Sequence, residues 1–585
     1  MRIGIDAGGT FTDFVVAHND GRIEIFKLRS NPANPAAVIL EGLKRAGRGE
    51  VIHGSTVATN ALLERKGVRT ALITTKGFED VIQIGRQNRA QLYVLSPPPK
   101  KALADPALCF GVEERTYFDG TIAQTPKLKN LKLPDVESVA ICLLHSYANP
   151  ANERAIRDAV KAPYICCSHE ICPEFREYER TTTTFLNAYV GPLIDRYLSQ
   201  LESVPKLWIM QSNGGVIRAR EAREHAVRTL LSGPAGGVIG AIETARLSGY
   251  DKVLGFDMGG TSTDVSLSEG TPRQTAEAYI DGIPVRVPML DIQTVGAGGG
   301  SIARVDEGGL LRVGPESAGA APGPACYGLG EAPTVTDAHV VLGRIEPERF
   351  LGGTMPIYPE RAAMAIDRIA TRLKLSRKAA AKGILRVANA NMERAIRSVS
   401  VERGYDPREF ALVAFGGCGG LHACEVAEDL GIRTVIAPEH AGVLSALGML
   451  MADRVRDYTA GVIGRKPDFK PLEKQARKDM PKARLERYFD IRYAGQSYEL
   501  TIPEGASFHA AHQRMYGYSD ESRATEVVAI RIRAVDEVPR LKLTSTAKQK
   551  PVKGPALIAD YGATTWIPSG WHCQTDRFGN RVITR

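Results

Sequence analysis

The sequence carries DAGGTFTD at 6–13 and DMGGTSTD at 257–264, identical at six of eight positions. Glycines at Gly8, Gly9, Gly259 and Gly260 let backbone N–H groups approach phosphate oxygens with no Cβ in the way. Thr10, Thr12, Thr261 and Thr263 add hydroxyl donors, and Asp13 and Asp264 close each loop. Asp6 and Asp257 are the expected catalytic and metal-holding pair: a carboxylate at a strand end suits Mg²⁺, which keeps several waters and one or two carboxylates. Facing carboxylates beside a triphosphate repel one another unless a cation lies between them. The chemistry expected is therefore the binding of ATP with Mg²⁺. Gly, Thr and Asp also make ordinary turns, but an ordinary turn has no reason to repeat six of eight residues.

The flanking elements decide which kind of phosphate loop this is. An apolar strand precedes each octapeptide, and the following segments, Phe14 to Ala17 and Val265 to Leu267, are again short and β-rich. A P-loop or a dinucleotide fingerprint would open a helix there, the former with a Lys. The loops are therefore read as β-hairpin tips, as in the actin and sugar-kinase fold.

Between and after the repeats, strands alternate with helices, which argues α/β layers. Strands are expected over 68–74, 138–144, 206–211, 410–415 and 434–437, and helices over 152–161, 180–201, 232–248 and 376–403. A third glycine loop, Gly416, Gly417, Gly419 and Gly420 around Cys418, runs from strand to helix and fits the place where an actin-like fold holds adenosine. The fold class is α/β: a duplicated actin-like ATPase fold with a small β-rich C-terminal domain. The divisions expected are a first domain at 1–175, a second at 176–455 with a Gly-rich insertion at about 270–340, and the β-rich domain at 456–585.

The net charge of +9 is spread along the chain, apart from a modest basic run between Lys466 and Arg487 read as a solvated face. Neither a nucleic-acid partner nor a membrane is expected: no apolar run approaches the ~18 residues of a spanning helix. The chain opens directly on a strand, and nine cysteines without scaffold spacing fit a reducing cytoplasm. The cluster CCSHEIC at 166–172 lacks the paired spacing of a zinc site and is read as buried and structural.

An ordered series of further motifs resembles the A-type subunit of the hydantoinase/oxoprolinase family, which includes N-methylhydantoinase, 5-oxoprolinase and the acetone and acetophenone carboxylases. HGSTVATNALLERKG, TTKGFEDVIQIGRQNR, EYERTTTTFLNAYV, SGPAGGVIGA, TVGAGGGSIARVD, TVTDAHVVLGR and GVLSALG span most of 3–455. RYAGQSYEL and GPALIADYGATTWIPSGW resemble the family's C-terminal region, here shortened. Gly420 stands where the family more usually has Pro. The resemblance implies an ATP-dependent hydrolase subunit that activates the carbonyl of a hydantoin- or 5-oxoproline-type cyclic amide by phosphorylation, in a hetero-oligomer with a B-type partner. A ketone carboxylase subunit, or a non-enzymatic ATP switch, are the alternatives.

Within these motifs the substrate candidates are His53, Thr56 and Asn60 at a helix start, Arg86 and Arg89 of GRQNR, Asp337 of TVTDAH, and His422 just inside the helix after the third loop. Each has an equally ordinary structural reading as a cap, a surface pair or a satisfied buried group.

Overall fold

The computed structural model describes residues 1–585 except 32, 89–92, 97–101, 130, 354 and 544–549, and excepting the side chains of 351 and 352. Two large mixed sheets form two lobes, and each lobe is built around one of the repeated octapeptides. In lobe I, Arg2–Ala7 and Phe11–Ala17 form a hairpin. Its first strand pairs in parallel with Glu50–Ser55, and its second pairs antiparallel with Ile23–Arg29. Lobe II repeats the pattern: Lys252–Met258 and Thr263–Glu269 form the hairpin, flanked by parallel Ala411–Phe415 and antiparallel Ile292–Val295. A further parallel strand extends each unit, Leu207–Met210 in lobe I and Thr434–Ala437 in lobe II. The duplicated actin-like α/β architecture thus covers five strands per lobe. The parallel strand Ala411–Phe415 is buried and apolar on both faces, as a central position requires.

Strand pairing groups the chain differently from the expected divisions in two places. The segment Glu177–Ser199 and the strands Leu207–Met210 and Val216–Arg218 belong with lobe I, beyond the boundary placed at 175. The C-terminal region is not one domain. Arg454–Gly461, Arg484–Tyr493, Leu500–Pro503 and Thr525–Asp536 extend the lobe I sheet, whereas Val552–Lys553, His572–Thr575 and Arg581–Thr584 extend that of lobe II. The Gly-rich stretch after the second hairpin forms small two-stranded pieces such as Ser301–Val305 with Leu311–Ser317.

Helices Ser232–Leu247 and Leu444–Met449 pack across the junction of the lobes. Their contact is backbone to backbone. A Cβ on Gly448 would lie 2.0 Å from the Gly236 carbonyl oxygen, and one on Gly240 would lie 2.8 Å from that of Leu444. Gly236, Gly240 and Gly448 therefore serve close helix crossing at the junction of the lobes.

Candidate nucleotide site between the lobes

The two tips close identically: Gly8 N–H donates to the Phe11 carbonyl and Gly259 N–H to that of Ser262, both at 3.1 Å. Thr10 and Thr261 are exposed at the tips, while Thr12 and Thr263 are buried. Strand register sets Asp6 opposite Asp13 and Asp257 opposite Asp264. All four carboxylates are partly exposed to the cleft. Asp257 is held well above the ordinary carboxylate range by burial and by Asp264, Asp6 and Asp13 across the cleft. Burial and Asp13 push Asp6 to about 7, and burial raises Asp264 to about 6. Carboxylates gathered at this cost suit a hard divalent cation; no three of them lie within direct ligating reach of one another, so Asp6 and Asp257 would hold Mg²⁺ through its waters.

One cation stands among them that sequence reading missed. Lys27, directly opposite Asp13 in register, donates to both Asp13 oxygens at 2.8 Å and to the Gly442 carbonyl of lobe II at 2.8 Å. The equivalent position in lobe II is Thr294, opposite Asp264, whose hydroxyl donates to that carboxylate at 2.6 Å. Only the extended repeat, aligned through strand register, reveals this pairing of Lys27 with Thr294.

Small residues make room for the carboxylates. A Cβ on Gly233 would lie 3.4 Å from Asp6 Oδ1, and one on Gly416 only 2.4 Å from Asp257 Oδ1; Gly416 also has φ +76°. In the third loop Gly417 is exposed, whereas Gly419 and Gly420 are buried. A Cβ on Gly420 would lie 2.7 Å from the Thr564 carbonyl oxygen of a C-terminal strand. The last two glycines therefore pack against protein, and Gly416 and Gly417 are the two that border the cleft.

The remaining candidates separate into two groups. Thr56 and Asn60 line a cavity of about 670 Å³ beside the first tip. His53, Asp337 and His422 are corrections. His53 is fully buried between the Ile5 carbonyl and the Tyr197 hydroxyl, 3.2 and 2.6 Å from its ring nitrogens, and burial lowers it to about 4. Asp337 caps its own helix from Thr334 and accepts the Ala325 and Cys326 N–H groups. His422 lies buried between Asn389 Oδ1 at 2.6 Å and His339 Nε2 at 2.9 Å. Arg86 pairs with the buried Glu179 at 2.6 Å; Arg89 lies outside the described residues. Glu153, Cys167 and His169 lie within metal-binding reach of one another. The Glu153 carboxylate, however, is already filled by the Leu143 and His169 N–H groups, the Ser168 hydroxyl and the His169 ring, which supports the structural reading of that cluster. Among the described residues no helix is long and apolar enough to cross a membrane.

The whole chain is similar to proteins of one family. The family profile described as hydantoinase/oxoprolinase matches residues 180–458, and that of its N-terminal region matches residues 2–163. The chain is 35% identical to the caprolactamase subunit alpha of Pseudomonas jessenii, over 97% of this chain and 90% of that protein. It is 32% identical to 5-oxoprolinase 1 of Arabidopsis thaliana over 98% of this chain but 52% of that longer protein. The crystal structure of the ATP-dependent caprolactamase from Pseudomonas jessenii superposes with a TM-score of 0.87 at 31% identity, covering all of both chains. A nucleotide-free acetone carboxylase structure matches with a TM-score of 0.77 at 26% identity, over 100% of this chain and 99% of the other.

Proposed function

The chain belongs to the hydantoinase/oxoprolinase family, and on that premise we propose that it binds ATP with Mg²⁺ between the two tips and transfers the γ-phosphoryl group to the carbonyl oxygen of a cyclic amide. The observation that carries this reading is the convergence of Asp6, Asp13, Asp257 and Asp264 from two copies of one hairpin. Mg²⁺ supplies charge neutralisation of the phosphates there. The chain supplies orientation: exposed Gly9, Thr10, Gly260 and Thr261 at the tips to grip phosphate oxygens, and Lys27 to balance charge from the lobe I side. Gly416 and Gly417 border the adenosine.

In the transfer, the amide oxygen attacks the γ-phosphorus. The bond to the β–γ bridging oxygen breaks, and ADP leaves with its electron pair. The ring N–H loses its proton as a C=N bond forms. Water then adds to that carbon, and the ring C–N bond breaks with its electron pair going to nitrogen, which takes up a proton. The ring opens to an amine and an acyl phosphate, from which a second water attacking the acyl carbon displaces phosphate with the C–O bond pair. A partner subunit of the B type, in a hetero-oligomer, takes the ring-opening step in this reading. Support comes from a relative named as a subunit and from the relative of twice this length. Nine free cysteines fit a cytoplasmic setting.

Substrate-dependent ADP release tests the proposal. Lactams or hydantoins should stimulate it in the wild type and not in Asp6→Asn or Asp257→Asn; ATP turnover that no amide or ketone stimulates would refute it. A second reading is favoured by the full-length match to acetone carboxylase: a ketone accepts the phosphoryl group and is then carboxylated. Bicarbonate-dependent turnover would mark that reaction.

A further inference from the structure

The two hairpin tips differ in what lies on their outer flank. At the second tip the flank is filled by backbone: Gly299 N–H donates to the Gly259 carbonyl at 3.0 Å and Gly300 N–H to that of Gly260 at 2.7 Å. A Cβ on Gly298 would already lie 2.7 Å from Gly260. At the first tip Ser30 covers part of the flank, its N–H donating to the Thr10 carbonyl at 3.0 Å and its hydroxyl to that of Gly8 at 2.7 Å. Beside it opens the cavity of about 670 Å³, within the ~300–1,000 Å³ of small-molecule sites. Its walls come from lobe I alone, residues 7–66 and 193–200, and include Gly8, Gly9, Ser55, Thr56, Asn60 and Tyr197. A group leaving a phosphate held between the tips therefore finds room on the lobe I side, where the second tip offers backbone.

We propose that this cavity seats the phosphoryl acceptor and that the acceptor is an uncharged cyclic amide rather than one bearing a carboxylate. The inference rests on the cyclic-amide reading above and narrows it. The polar groups beside the tip are neutral. The Thr56 hydroxyl donates to the Ala7 carbonyl at 3.2 Å, and the Asn60 amide N–H donates to Thr56 Oγ1 at 3.4 Å. This orientation leaves the exposed Asn60 side-chain carbonyl free to accept a ring N–H.

The two cations of the wall, Lys66 and Arg196, sit at the rim with side chains 75% and 56% exposed, paired with Glu64 and Glu137 at 2.6 and 3.0 Å. The buried polar groups of the wall are the hydroxyls of Thr12, Ser55 and Tyr197 instead. A substrate carboxylate there would lose its hydration without gaining a partner charge. It would also face the cleft carboxylates and the nucleotide phosphates.

The test is equilibrium titration of the full chain, saturated with Mg²⁺ and a non-hydrolysable ATP analogue, with δ-valerolactam and with 5-oxoproline. The neutral lactam should bind at least ~10-fold tighter. Thr56→Val and Asn60→Leu should each weaken its binding several-fold and leave nucleotide affinity, which reports an intact fold, unchanged. Asn60→Lys should shift preference toward 5-oxoproline. Tighter binding of 5-oxoproline by the wild type, or lactam affinity indifferent to both cavity substitutions, would overturn the proposal. Failure of both rings to bind a nucleotide-loaded chain would instead bring down the cyclic-amide reading itself.

Discussion

The first and second hairpins share sequence, register and tip closure, yet they stand in opposite surroundings. Asp13 faces the ammonium of Lys27, whereas Asp264 faces the hydroxyl of Thr294. Thr12 meets Ser30 at 3.0 Å beside an open cavity; Thr263 donates to the Ala297 carbonyl at 2.5 Å under a lid of glycine backbone. Duplication thus retained what grips a phosphate on both sides. Charge and open space were kept on one side only. A symmetric grip with one cationic, open side suits the transfer of a group in one direction.

The largest effect is expected from the carboxylates common to both halves. Asp6→Asn should lower substrate-stimulated ATPase by ~100-fold or more, the order seen when a charge-stabilising group is lost. The same substitution should stabilise the nucleotide-free protein at pH 8. Asp6 binds its proton more tightly folded than unfolded, since it sits at about 7 against an ordinary 3.8. Its contribution to stability therefore falls as pH rises from about 4 to about 7, then stays lost. Thermal melts across pH should show this loss reduced in the Asn variant; an unchanged profile would argue that Asp6 ionises freely.

Lys27→Thr copies the second hairpin's arrangement onto the first and is expected to cost ~10–100-fold in kcat. It removes both the cation acting on Asp6, Asp13 and Asp257 and the bond to lobe II. Lys27→Arg should recover part of the loss. Wild-type kcat in Lys27→Thr would show that the asymmetry of charge is incidental.

Glycine substitutions sharpen the contrast in space. Gly298→Ala drives a Cβ to 2.7 Å from the second tip and should destabilise by ~1–3 kcal/mol, read by denaturant unfolding. Gly9→Ala meets nothing within 4 Å, so stability should hold while nucleotide affinity drops, because the added methyl stands where phosphate approaches. Within one pH unit of neutrality the effect on metal binding is smaller. Protons on Asp6 and Asp264, raised to about 7 and about 6, compete with the cation. Mg-nucleotide affinity should therefore fall by up to ~10-fold per pH unit for each such proton below those values, as fluorescence titration from pH 5.5 to 8.5 would register.

Sequence alone made the hairpins legible because the repeat is local: strand, tip and strand lie within one short stretch of chain. Lys27 and Thr294 were not legible, since their equivalence exists only through strand register and their spacings from the tips differ. His53, Asp337 and His422 were misplaced for a related reason. A polar residue in a motif does not declare which face of its strand or helix it occupies, and these three face inward to fixed partners. Thr56 and Asn60, from the same motif as His53, face the cavity. The C-terminal region read as one domain because its strands are locally alike. Their division between two sheets depends on pairings such as Thr434 with Thr584, which leave no local trace.

The most direct test of the facing-carboxylate site is isothermal titration of wild type and Asp257→Asn with Mg²⁺ and a non-hydrolysable ATP analogue. With Asp6 and Asp257 holding the metal from opposite lobes, the wild type should bind the nucleotide in a Mg²⁺-dependent manner, and the variant should lose that dependence together with most of its affinity. Undiminished, Mg²⁺-dependent binding by Asp257→Asn would contradict it.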